Sequence, residues 1–300
     1  MAGKVKAWIE AMRLRTLPVS VAGVISGLAC ALALGKFRLL PFLICLVFAV
    51  LAQIASNFAN EYYDFKNGID KKGREGFRRG VTEGDIKPES MKKGILLLMA
   101  IDALLGCSLI IWGGWWLIFV GLGIGIFALA YSTGPWPLSH HGCGDIAVII
   151  FFGLVPVLFT EYVQTQVWPT GSVSICTAFA IGLMAVNVLI VNNYRDMEDD
   201  RAVNKHTTVV LLGRRVMGNV YFANGCIAAV LLAMASSWAP FAVSAGWLTY
   251  ILFHIVLWER LRTRQGKMLN PLLKATSLLL LGVTIYQLVI FSIFASDFPY

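Results

Sequence analysis

The chain has 300 residues, 58% of them hydrophobic and only 14% charged, where a soluble domain carries about 25% charged residues. That balance excludes a water-soluble fold, which could not cover so much apolar surface. The net charge of +8 suggests an anionic partner, but the basic residues fall beside apolar spans, so a nucleic-acid partner is not expected.

Runs of about 20 apolar residues recur along the chain, each long enough to cross a hydrocarbon core of about 30 Å. Lipid offers the backbone no hydrogen bonds, so such runs must be helices. Nine spans are predicted: Leu17–Leu34, Leu40–Tyr62, Gly94–Trp112, Trp116–Tyr131, Ile146–Thr160, Ser174–Asn192, Val216–Met234, Ala239–Leu257 and Leu272–Phe294. Strands of alternating polarity are absent, which argues against a membrane barrel. The expectation is an all-α membrane protein, one polytopic domain over residues 1–300, with its active-site cavity on the cytoplasmic side.

Basic residues before the first span, with Ala29-Cys30-Ala31, imitate a secretory signal. No soluble mature portion follows, so that reading is set aside. The six cysteines show neither metal spacing nor a paired pattern and read as apolar filler.

Of the 25 Lys and Arg, only Lys36 and Arg38 lie in the segments on the side opposite the N-terminus. The positive-inside rule then puts the N-terminus in the cytoplasm, in a cell (inner or plasma) membrane. The longest polar segment, from Asp64 to Lys93, and the next, from Tyr194 to Arg215, both fall on that side. Each follows a span that ends in Asn and Asp and then turns basic, which suggests a weak internal duplication.

Those span ends carry the chemistry. Asn60 and Asp64 are four residues apart, as are Asp196 and Asp200. On a helix such pairs share one face. Gly68 is expected to break the first helix and let Asp70 turn back towards Asp64. Crowded carboxylates repel one another, and a hard divalent cation relieves that. Mg²⁺ typically takes one or two carboxylates together with phosphate oxygens and waters. Lys71, Lys72, Arg74, Arg78 and Arg79 follow the first cluster, and Arg195, Arg201 and Lys205 surround the second. A metal-bound diphosphate carries spare negative charge that such cations match. No Gly-x-x-x-x-Gly-Lys loop is present, so nucleotide hydrolysis finds no support. The competing reading is that charges at helix ends are solvated topology signals. Two such motifs on one side make it the weaker one.

Asn60-Glu61-x-x-Asp64-x-x-x-Gly68-x-Asp70 resembles the first Asp-rich motif of the UbiA superfamily of intramembrane aromatic prenyltransferases, and Asp196-x-x-x-Asp200 resembles the second. The Asp64–Asp70 spacing, Arg79-Gly80-Val81-Thr82, Asn192-Asn193-Tyr-Arg195-Asp196 and Lys205-His-Thr207-Thr208 resemble the branch that acts on 1,4-dihydroxy-2-naphthoate. So do Arg15-Thr16-Leu17-Pro18 and Gly142-x-Gly144-Asp145. The resemblance covers residues 13 to 215 with specific motifs, and the last third in hydropathy only. Glu61 stands where the family usually has Asp.

The resemblance implies a set of roles. Mg²⁺, held by Asn60, Asp64, Asp70, Asp196 and Asp200, binds a polyprenyl diphosphate, with the four carboxylates catalytic. Lys71, Arg79, Arg195 and Lys205, with Asn57, Asn60 and Asn193, contact substrate. Naphthoate attack with loss of CO₂ gives demethylmenaquinol. Tyr131 and Ser132 line the substrate site or, alternatively, Tyr131 is an interfacial aromatic. Arg13 and Arg15 reach the naphthoate carboxylate or the diphosphate, or merely anchor the chain. Asp145 orients ring or loop groups, or caps a helix. Asp102 lies inside a span without an evident partner. His140 and His141 read as exposed loop residues. Two rivals are carried: an enzyme with another acceptor, such as 4-hydroxybenzoate, and a cation transporter, which would need carboxylates at mid-membrane.

Overall fold

The computed structural model describes residues 2–70, 72 and 76–298. Lys71 and Arg74, both expected near the diphosphate, lie outside the described residues. Among the described residues ten helices of two turns or more carry the architecture: α1 (Ala2–Ala11), α2 (Leu17–Ala33), α3 (Leu39–Lys66), α4 (Pro88–Gly113), α5 (Leu117–Ala130), α6 (Gly144–Thr165), α7 (Ser172–Ala202), α8 (Thr208–Ala235), α9 (Phe241–Thr263) and α10 (Gly266–Ile293). Seven of them, α3, α4 and α6 to α10, are long and apolar enough to cross a membrane. The apolar helices α2 and α5 are shorter, at 17 and 14 residues.

Two differences from the predicted boundaries bear on function. The sixth predicted span stops at Asn192, but α7 continues to Ala202, so the second acidic motif sits inside a continuous helix. Good helix formers (Met197, Glu198, Arg201) carry it past the apolar run. The N-terminal segment, expected only as a basic tail, forms α1. Ala7 and Ala11 are buried, and Trp8 packs edge-on against Phe58 of α3.

The helices bury two separate apolar clusters. The larger joins α2 and α6 to α10. The smaller joins α1, α3 and the start of α4, through residues such as Ala7, Phe58, Val81 and Met91. α7 is central, with most of its length buried, while α3 and α4 present much of their surface outward. Where α6 crosses α7, Gly153 lies against the backbone of Ala178 and Gly182. A Cβ there would collide, so glycine permits the close approach, as small residues do between membrane helices. α6 is locally widened into a π-turn over Ile149–Leu154 at this crossing.

Candidate active site

A cavity of about 420 Å³ lies between the two clusters, walled by α1, α2, α3, α6, α7 and their connecting loops. Ten of the predicted site residues line it: Arg15, Asn57, Asn60, Arg79, Tyr131, Asp145, Asn193, Arg195, Asp196 and Lys205. Four others, Asp64, Asp70, Ser132 and Asp200, are not in its wall. A second chamber of about 170 Å³ is apolar, with Phe48, Leu109, Ile124 and Phe159 among its walls. Gln53, Ser56, Tyr131, Val148 and Phe152 line both spaces, so the chambers adjoin.

The first motif ends α3. The helix stops at Lys66, and Gly68 takes φ +69°, a left-handed conformation that glycine adopts without a Cβ penalty. The chain then folds back so that the amides of Ile69 and Asp70 both donate to the Asp64 carbonyl, at 2.9 and 3.3 Å. Arg79 braces the pair: Nε is 3.3 Å from Asp70 Oδ2 and Nη2 is 3.8 Å from Asp64 Oδ2. Arg79 Nη2 also donates to Asn60 Oδ1 at 3.1 Å, and Arg13 Nη2 donates to the same oxygen. Asn60 Nδ2 donates to buried Ser132 at 3.3 Å. Ser132 thus holds Asn60 from behind and does not face the cavity. Asn57 likewise supports the wall, donating to the Met12 carbonyl at 3.1 Å.

The second motif lies within α7. Arg195 grips its neighbour Asp196 with two bonds of 2.7 Å, from Nε and Nη2. Lys205 Nζ is 3.6 Å from Asp200 Oδ1, and its ammonium also acts on Asp64. Lys205 therefore stands between the motifs. The carboxylates of Asp64 and Asp200 both act on the Tyr131 phenol, as do Asp145 and Arg13.

Every predicted carboxylate ligand is thus within reach of a protein cation. Among the described residues, no group of three or more His, Cys, Asp and Glu stands ready to hold one metal ion. The donor set still fits a hard cation. The carboxylates supply oxygen only, and Asp64 Oδ1 is buried without a hydrogen-bond partner. This matches an ion bound together with phosphate oxygens rather than one caged by protein alone.

Some placements correct the sequence reading. His140 is not an exposed loop residue: its Nε2 is 3.8 Å from Asp64 Oδ1 and its carbonyl accepts from His206 N at 3.0 Å. His141 is exposed, as expected. Asp145 does not cap α6, whose N-cap is Cys143, and faces the cavity instead. Asp102 is buried within α4 and does not line the cavity. Two contributors were missed. Glu61 accepts from Val81 N at 3.0 Å and so holds the turn that presents Arg79. Phe77 lines the cavity beneath two guanidinium groups. The available signal was a lone aromatic within a strongly basic loop.

The sequence profile of the UbiA prenyltransferase family matches residues 20–295. The chain belongs to that family. Over 252 residues it is 36% identical to a 1,4-dihydroxy-2-naphthoate octaprenyltransferase of Haemophilus influenzae, covering 79% of this chain and 81% of that protein. Over 218 residues it is 38% identical to an Escherichia coli protein of the same name, covering 70% of each. The fold matches a UbiA homolog from Archaeoglobus fulgidus, bound to GPP and Mg²⁺, with TM-score 0.66 and 15% identity over 95% of this chain and 99% of that one. It also matches a UbiA homolog from Aeropyrum pernix K1 with TM-score 0.70 and 13% identity, over 89% and 96%. The family and the apolar helices together make this chain a multi-pass membrane prenyltransferase.

Proposed function

We propose that the chain transfers a polyprenyl group from polyprenyl diphosphate to 1,4-dihydroxy-2-naphthoate, releasing CO₂ and diphosphate and giving demethylmenaquinol. The observation that carries this is that Lys205 acts on a carboxylate of each acidic motif, beside a cavity that adjoins an apolar chamber. The named relatives support the acceptor.

Asn60, Asp64, Asp70, Asp196 and Asp200 are the residues that would hold Mg²⁺, which neutralises the diphosphate as a leaving group. Arg79 and Lys205 already sit against these carboxylates and turn to the phosphate oxygens, with Asn193 as a further contact. Their charges are placed where negative charge grows as the C1–O bond breaks, which is electrostatic stabilisation of the departing group. The isoprenoid tail lies in the apolar chamber behind Tyr131. Those walls exclude water, which would otherwise capture the allylic cation. The ring carbon that bears the carboxylate bonds to prenyl C1 as the C1–O bond breaks, and the carboxylate then leaves as CO₂, its bonding pair returning to the ring. The N-terminus and both motifs face the cytoplasm of a cell membrane, in keeping with the charge bias.

The test offers purified protein a long-chain prenyl diphosphate with either 1,4-dihydroxy-2-naphthoate or 4-hydroxybenzoate. Prenylated, decarboxylated product is expected from the naphthoate alone. It should vanish on chelation and return with Mg²⁺. Product from the benzoate instead overturns the acceptor assignment.

A further inference from the structure

Phe77 occupies an unusual electrostatic position. The guanidinium of Arg15 lies 4.5 Å above the ring centroid and that of Arg195 lies 4.7 Å above it. All three side chains line the large cavity. Two cations held this close repel one another, and the negative face of an aromatic ring offsets the repulsion.

The hydrogen bonds of Arg195 decide what it can still offer. Nε and Nη2 bind Asp196, Nη2 also binds Asn192 Oδ1 at 2.8 Å, and Nη1 binds Asn270 Oδ1 at 3.0 Å. Phosphate recognition by arginine uses the donor edge, and nearly all of that edge is committed. The planar face remains, and a face attracts aromatic rings. Arg15 is the complement. Among the described residues no carboxylate pairs with it, so its donor edge is open to an anion, while its face lies over Phe77.

We infer that Phe77, with the faces of Arg15 and Arg195, forms the seat of the aromatic acceptor. The acceptor ring joins this stack and its carboxylate takes the donor edge of Arg15. The ligand class is a planar aromatic carboxylate, which meets both demands at once. Because Arg195 precedes Asp196, the stack places the ring beside the second acidic motif and hence beside the diphosphate. The inference rests on the proposed function for the acceptor class. It reassigns Arg195 from the diphosphate to the ring and gives Phe77 a role in specificity.

The test uses the full-length protein in detergent, with 1-hydroxy-2-naphthoate as the probe and no prenyl diphosphate. Its binding is followed by its own fluorescence. Phe77→Ala should weaken binding about tenfold, the size of effect that lost stacking on cations gives, and Phe77→Trp should restore it. Arg15→Gln should weaken the naphthoate several-fold more than 1-naphthol, which lacks the carboxylate and loses only the stacking on the guanidinium. In turnover, the KM for the naphthoate should rise in Phe77→Ala while the KM for the prenyl diphosphate stays constant. Wild-type probe binding in both Phe77→Ala and Arg15→Gln would overturn the seat while leaving the proposed function intact, as would a rise in the donor KM alone. If wild-type protein prenylates 4-hydroxybenzoate and ignores the naphthoate probe, the acceptor reading itself fails, and the failure is distinguishable from the first.

Discussion

The two acidic motifs share a spacing but are built differently. The second rides on α7, the most buried of the seven long apolar helices, and Asp196 is gripped by the residue next to it. Its geometry comes from one continuous helix. The first sits where α3 ends. Asp70 reaches Asp64 only through the Gly68 turn, and the pair is braced by Arg79, which arrives on a separate turn. One site is therefore rigid by construction, and the other is assembled from three pieces of chain. Ligand-driven adjustment is expected on the assembled side.

Removing a carboxylate from either motif tests whether both are needed. Asp64→Asn and Asp196→Asn should each lower turnover by roughly 10²–10³-fold, the scale of losing one group that stabilises developing charge. Both variants should still express, with a lower melting temperature in Asp196→Asn, where buried Arg195 loses its carboxylate partner. If Asp196→Asn retains wild-type rates, the second motif is only a helix-end charge and the comparison collapses. Metal affinity adds a second readout: Mn²⁺ binding measured with pyrophosphate present should weaken in both variants.

The bracing cations should separate the motifs more finely. Arg79 touches Asn60, Asp64 and Asp70, whereas Lys205 contacts Asp200 at 3.6 Å and also acts on Asp64. Arg79→Gln is expected to lower kcat about 100-fold and Lys205→Gln about tenfold, since Arg79 holds two carboxylates and Asn60 together. The reverse order, measured in the same assay, would place the organising cation on the second motif.

The contrast also explains what was legible in the sequence. The i,i+4 pairs, the Gly68 break and the apolar spans are local patterns, and local patterns fix helices. The second motif was mislocated only in that its helix runs on to Ala202. What was not legible depends on long-range packing. The pairing of His140 with Asp64, the two guanidinium groups over Phe77 and the tie from Glu61 to Val81 each join segments that no local period connects. The carboxylates were expected to face their ligand. Asp64, Asp70 and Asp200 lie outside the cavity wall, each within 4 Å of Arg79 or Lys205, as a buried carboxylate needs a partner.

Glu61 gives the smallest and sharpest test of the assembled motif. Sequence likeness makes it a stand-in for an acidic family residue, yet it is buried and its Oε1 accepts from the Val81 amide at 3.0 Å. Val81 is itself buried, so losing that acceptor leaves an N–H without a partner, at a cost of about 1–3 kcal/mol. Glu61→Ala should therefore lower the melting temperature and, by loosening the turn that carries Arg79, reduce kcat severalfold. Glu61→Gln keeps a carbonyl oxygen in the same place and should restore both within about twofold, although it removes the charge. Thermal unfolding and turnover measured on the two variants distinguish the roles. If Gln is as damaging as Ala, the charge of Glu61 matters directly and it joins Asp64 and Asp70 at the diphosphate. If Gln rescues, Glu61 is the post on which the first motif's brace is hung, and the second motif, built on one helix, needs no counterpart to it.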